Sequence, residues 1–289
     1  MQKAPELFEQ IKIICNESDE KGLIRLTGSQ QYSMMKNVRE SLAGRIGIIE
    51  LYSLPAGEKA GITFDDELRQ DYFESYIETY LMRDVAETGG IMDAVRFRRF
   101  LVACAALVSE QLNYTTLAEA ADIAQSTAKE WLKILEGLKV VYLLPPYSNN
   151  KLKRLSKTPK LYFCDTGLCA HLSMWLSPQT LLNGAVSGHY YENYVVMELV
   201  KNYAYAKSKV NISYYRDSNA KEIDVFIEEN NVIHPLEIKK SASPDRREVK
   251  KYSLLDKASI NRGKGGIICM CENPLPIDAD NCFIPSNLI

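Results

Sequence analysis

The run EIDVFIEENNVIHPLEIK, residues 222–239, leaves a chain few ways to fold. Two stretches rich in β-branched and aromatic residues flank a polar Glu229-Asn230-Asn231 step, which predicts two strands joined by a tight turn. Side chains alternate faces along a strand, so Glu237 and Lys239 project together while Ile238 points into a core. Folding back at the polar turn brings Asp224 beside Glu237. Two carboxylates then converge with an ammonium, a set suited to Mg²⁺ and a water beside a phosphodiester. In such chemistry Asp224 and Glu237 are the metal ligands, and Lys239 orients the attacking water or stabilises the transition state. Glu192, in the upstream run GHYYENYVV, is available to complete the metal shell. The same side chains would equally form a solvated ion-pair cluster on a hairpin, a common and weak arrangement.

At 289 residues, with 46% hydrophobic and 25% charged residues, the chain suits two or three soluble globular domains. No apolar run approaches the ~20 residues of a membrane helix, so no membrane contact is expected. The amphipathic start MQKAPELFEQIK lacks the apolar core of a signal peptide, and a cytoplasmic location is expected. Seven scattered cysteines and three histidines argue for reduced thiols and against zinc. The net charge is −2, yet residues 151–160, KLKRLSKTPK, hold five positive charges and no negative one. Such a patch fits a nucleic-acid contact or a solvated loop.

Apolar spacing predicts an amphipathic helix over 5–16 with Leu7, Ile11 and Ile14 on one side. Strands in GLIRLTGS and IGIIELYSL, with a helix over about 31–43 between them, would make a parallel α/β layer. Helical patterns fill about 66–110. Helices over 115–121 and 126–138, a strand over 139–144 and the strand LYFCD give the middle segment winged-helix character. In that reading Gln125, Ser126, Thr127 and Lys129 meet base edges and KLKRLSKTPK lies near the phosphate backbone. Trp131, Leu132, Leu135 and Leu138 form the core stripe of the same helix, which would also suit a packing element or a protein contact. A long helix from SGHYYENYVV, the strand VNISYYR, the hairpin, a polar helix over 245–257 and the strands GGIICMC and NCFIP complete the chain.

The acids and lysine at 192, 224, 237 and 239 resemble the PD-(D/E)xK nuclease superfamily. The likeness assigns the helical acid to Glu192, the hairpin acid to Asp224 and the E-x-K to Glu237 and Lys239; Ile223 stands where the motif has proline. More broadly, LTGSQQYSMMKNVRESLAGRIGIIELYSL, LNYTTLAEAADIAQSTAKEWLKILEG, VYLLPPYSNN, KLYFCDTGL and EIDVFIEE are similar to a bacterial and archaeal family of AAA+-like ATPases. That family continues from a nucleotide-binding domain into a winged helix and a C-terminal domain with a nuclease-like fold. The resemblance implies an α/β multi-domain chain: a partial AAA+-like layer over 1–60, a helical and winged-helix part over 61–180, and a PD-(D/E)xK-like α/β domain over 181–289. It also implies that Ser29 and Arg45 sit near nucleotide. No G-x-x-x-x-G-K-[ST] occurs in the sequence, so ATP, a ligand of the family, is not expected to bind these residues. The expectation is a truncated family member that associates with nucleic acid, DNA being the expected kind, with a Mg²⁺-dependent nuclease-like domain and self-association through residues 1–60. A non-catalytic DNA- or protein-binding platform and one half of a split ATPase are the alternatives.

Overall fold

The computed structural model describes residues 6–18, 20, 22–26, 47, 49, 51–54, 65–89, 93–148, 158–217, 219–257 and 260–289. The helix expected over 31–43 lies outside them. Helix α1 (Glu6–Glu17) buries Phe8 with Ile11 and Leu26. The expected stripe is therefore displaced: Leu7 and Ile14 are 44% and 41% exposed. Most of the α/β layer expected here, residues 27–46, 48 and 50, likewise lies outside the described residues, and the described stretches 22–26 and 51–54 carry no strand. Residues 52–54 bind elsewhere. Tyr205 donates its hydroxyl to the Tyr52 carbonyl at 3.0 Å, and the Ser53 hydroxyl donates to the Cys164 carbonyl at 2.8 Å.

The middle of the chain opens with α2 (Asp66–Ser75), capped by the Asp65 carboxylate, which accepts from the Leu68 N–H. A π-helical stretch (Tyr76–Leu81) leads directly into α3 (Met82–Gly89), and both Ile77 and Leu81 are fully buried. Helices α4 (Ala94–Ala106), α5 (Tyr114–Ala121) and α6 (Gln125–Gly137) follow. Phe97, Phe100 and Trp131 meet edge to face where α4 crosses α6. Burying each such ring stabilises by about 1.5–3 kcal/mol. The turn between α5 and α6 passes through Asp122 in the left-handed region, φ 53°. Strands β1 (Val141–Leu144) and β2 (Lys160–Phe163) then pair antiparallel, with Tyr142 opposite Tyr162. Helices α7 (Thr166–Leu172) and α8 (Pro178–Asn183) close this part.

The C-terminal unit begins with α9 (Ser187–Tyr205). Its sheet contains β3 (Asn211–Arg216), β4 (Glu222–Glu229), β5 (Val232–Lys239), β6 (Gly265–Cys269), β7 (Leu275–Pro276) and β8 (Asn281–Pro285). The spatial order is β3-β4-β5-β6-β8-β7, with β3, β4 and β5 an antiparallel meander and β5, β6 and β8 parallel. Both strands of the predicted hairpin have the expected bounds. Its turn is confined to Asn230 and Asn231, at φ 50° and 63°, because Glu229 still pairs with Val232. The helix expected over 245–257 is instead a 3₁₀ segment (Arg246–Tyr252) followed by α10 (Ser253–Lys257). Helix α9 covers one face of the sheet through Val195, Val196 and Val200, and the 3₁₀ segment covers the other through Val249 and Tyr252.

The two parts share a seam. Leu144, Tyr162 and Cys164 join the core under α9. The Tyr147 N–H donates to the Tyr214 carbonyl at 2.6 Å, and the Tyr214 N–H donates to the Pro145 carbonyl at 3.1 Å. The chain after β1 thus adds to the β3 edge.

Candidate metal centre

The β3–β4 pairing changes register within one residue. Ser213 faces Phe226 while Tyr215 faces Ile223, so Tyr214 alone opposes both Asp224 and Val225. This is a β-bulge, which re-aims the side chain at the extra residue. Beyond it the β4–β5 ladder stops at Val225 and Leu236. The Asp224 carboxylate continues it, accepting the Ile238 N–H at 2.8 Å. Beside that bond lies a cleft of about 420 Å³, lined in part by Glu192, Asp224, Lys239 and Lys240.

Glu237 lies behind the cleft, 1% exposed and against Asp224. Its Oε1 faces the Lys251 ammonium at 2.6 Å and that of Lys239 at 3.2 Å, and Glu248 pairs with both lysines. Its Oε2 is buried with no hydrogen-bond partner. Burial raises the Glu237 pKa, and the Asp224 carboxylate raises it further against the pull of Lys251, to about 8. Burial lowers the Lys239 pKa, but Glu237 and Asp224 more than reverse this and hold the ammonium charged.

Glu192 stands on the other wall, on α9, and is held from the middle part of the chain. The Lys160 ammonium lies 2.9 Å from its Oε1, and the Tyr162 hydroxyl donates to the same oxygen at 2.7 Å. Burial raises the Glu192 pKa, opposed by Lys160 and reinforced by Asp224. The neighbouring Asn193 side chain pairs with both backbone groups of Phe163, fixing α9 against β2. Lys160 also meets Glu222 at 2.5 Å, and Arg216 meets Glu222 at 3.1 Å.

The structure thus brings Glu192, Asp224, Glu237 and Lys239 to one place. Among the described residues no group of three or more His, Cys, Asp or Glu is arranged to hold a metal ion. Lys160 corrects an expectation. It was grouped with an exposed basic loop, but it is 4% exposed and its ammonium is turned into the acid cluster. Residues 151–157 of that loop, and Ser29 and Arg45, lie outside the described residues. Lys251, Tyr162 and Glu222 escaped the sequence reading. Glu222 had a local signal, two residues before Asp224 in the same strand; Lys160 and Tyr162 had none, since only the seam brings β2 to α9.

In the middle part Gln125, Ser126 and Lys129 are exposed on the first turn of α6 and Thr127 is half-buried. Gln125 donates to the Thr115 hydroxyl at 3.0 Å, and the Lys129 ammonium lies over the Tyr114 ring. Arg96 and Asp122 pair across an adjoining open cleft. The seven cysteines are free thiols, and no helix among the described residues is long and apolar enough to cross a membrane.

Comparison with known proteins gives three matches to family models. Residues 1–60 match an AAA domain, 62–179 a domain of unknown function (DUF8612), and 187–289 a domain of unknown function (DUF4143). Uncharacterised proteins of Mycobacterium bovis and Mycobacterium tuberculosis are each 25% identical over 304 aligned positions, which cover 100% of this chain and 67% of the relative. No solved structure matches the chain. The matches support an AAA-like ATPase family.

Proposed function

We propose that residues 181–289 form a nuclease-like centre of the PD-(D/E)xK type that uses a divalent cation, in an AAA-like chain whose winged-helix middle, 61–180, contacts DNA. One observation carries the reading: Glu237 Oε2 is buried beside the Asp224 carboxylate with no donor to satisfy it. A buried carboxylate left this way costs several kcal/mol, and two in contact repel, so the missing partner is a shared proton or a cation. Mg²⁺ is commonly held by one or two carboxylates, with waters and substrate phosphate oxygens completing its shell, so Asp224 and Glu237 fit it without a third ligand. When bound, the cation would neutralise charge on a scissile phosphate. Lys239, part-exposed beside Glu237, is placed to orient water or a phosphate oxygen, and Lys251 balances Glu237 from inside the fold.

Two further features support the reading. The element order helix, three antiparallel strands, helical segment, parallel strand follows the resemblance drawn from the acids. In the middle part, α5, a tight turn, α6 and the β1–β2 pair have the layout of a winged helix, with Gln125, Ser126, Thr127 and Lys129 at the start of the second helix.

The test is nicking of supercoiled plasmid by the full chain in Mg²⁺ or Mn²⁺. Nicking should occur with the wild type and vanish in Asp224→Asn and Lys239→Ala, while Lys239→Ala keeps its metal affinity. Metal binding without nicking would assign the fold to a non-catalytic platform. No metal binding at all would overturn the reading.

A further inference from the structure

The lysine from β2 occupies an unusual position for a side chain that normally reaches into water. Its ammonium sits between two carboxylates of the C-terminal unit, 2.9 Å from Glu192 Oε1 and 2.5 Å from Glu222 Oε1. It is 4% exposed and lies 5.6 Å from the ring of Tyr214, the residue that opposes the bulge at Asp224. The strand that carries the lysine is held against α9. The Tyr162 hydroxyl, two residues along the same strand, grips the same Glu192 oxygen, and Asn193 ties the Phe163 backbone to α9. Carboxylate oxygens converging on one buried point are the surroundings that a hard cation also selects. Two-metal phosphodiester centres place a second cation close to the first, within one group of carboxylates. Here Glu192 and Asp224 line a single cleft, while Glu237 Oε2 is left unpartnered beside Asp224.

We propose that Lys160 is a built-in counter-cation that sets the number of metal ions the site accepts: its ammonium takes the place of a second divalent cation between Glu192 and Glu222, leaving the Asp224–Glu237 pair to hold one. The inference rests on the reading of that pair as a cation site. Removing the ammonium leaves Glu192 and Glu222 facing each other with Arg216 as the remaining cation, on the outer side of Glu222. Breaking a buried charge pair at one partner is strongly unfavourable, and a divalent ion from solution relieves it. The middle part of the chain would thereby determine the metal stoichiometry of a site built mostly by the C-terminal part.

The experiment is equilibrium dialysis of the full-length chain against Mn²⁺ with metal analysis, alongside calorimetric titration, for the wild type, Lys160→Met and Lys160→Arg. The wild type and Lys160→Arg should bind one ion per chain, and Lys160→Met two. One ion on both the wild type and Lys160→Met overturns the counter-cation inference and leaves the cation-site reading standing. Two ions on the wild type also overturn the inference. None on the wild type removes the underlying reading, and the inference with it. Should Lys160→Met be unfolded without metal, its circular dichroism is followed while Mn²⁺ is added. Recovery of the fold with two ions bound supports the inference, and no recovery at a concentration that saturates the wild type overturns it.

Discussion

Glu237 combines deep burial, a carboxylate neighbour and two lysines, and its proton affinity should report on all of them. Its pKa is raised from the ordinary 4.5 to about 8, so the folded chain holds this proton more tightly than the unfolded chain. The stabilising contribution of that proton is complete below about pH 4.5 and is lost as pH rises through about 8. Glu237→Gln should flatten the fall in stability across this window, by roughly 2–4 kcal/mol once sharing with Asp224 is allowed for. Urea denaturation of metal-free protein at several pH values checks it, and an unchanged slope would refute it. At Asp224 the expected effects separate. Asn can still accept the Ile238 N–H, and it relieves the repulsion with Glu237, so metal-free Asp224→Asn should melt at or above the wild-type temperature. The rise in melting temperature that Mn²⁺ gives the wild type should disappear in this variant. A preserved rise would remove Asp224 from the ligand set.

At the scale of elements, the hairpin holds the site together because its turn allows only one register. Asn230 and Asn231 both have positive φ, the signature of a type I′ turn, whose twist matches that of the flanking strands. Asparagine tolerates this region and a β-branched residue does not. Asn231→Val should therefore cost about 1–2 kcal/mol and Asn231→Gly close to nothing, measured by chemical denaturation. Equal effects would show that the register is fixed by the sheet without help from the turn. The parallel half of the sheet depends on a different device. A Cβ on Gly265 or Gly266 would come within 2.5 Å of a backbone carbonyl, of Pro235 or Cys282, so these glycines let β6 fit between β5 and β8.

At the scale of the whole molecule, the seam between β2 and α9 makes the acid site a joint product of two parts of the chain. The AAA-like match at residues 1–60 raises the question of nucleotide. These 289 residues contain no glycine-rich phosphate loop with its lysine, so nothing of that kind is present to cradle phosphates. Calorimetric titration of the chain with Mg-ATP should give no saturable heat at micromolar concentrations. Stoichiometric binding would show a nucleotide site built from other residues, with Ser29 and Arg45 the first to substitute.

Local order was legible wherever the pattern was strong. Period-two alternation and the Asn-Asn step gave β4, β5 and the meeting of Asp224 with Glu237 and Lys239, because strand geometry and a two-residue turn depend on neighbours in sequence. The helical spacing of Trp131, Leu132 and Leu135 gave α6 for the same reason. The bulge was hidden, since an extra residue in one strand is defined only against its partner, here Tyr214. The displaced stripe of α1 has a similar origin: Phe8 packs with Ile11 and Leu26, while Leu7, of equal hydrophobic merit, stays 44% exposed. Lys160 shows the limit most clearly. Its sequence neighbours mark it as one more solvated base, and only the packing of β2 on α9 surrounds its ammonium with Glu192 and Glu222. The fate of a charge is set by the charges and the solvent around it, and those the tertiary structure alone decided.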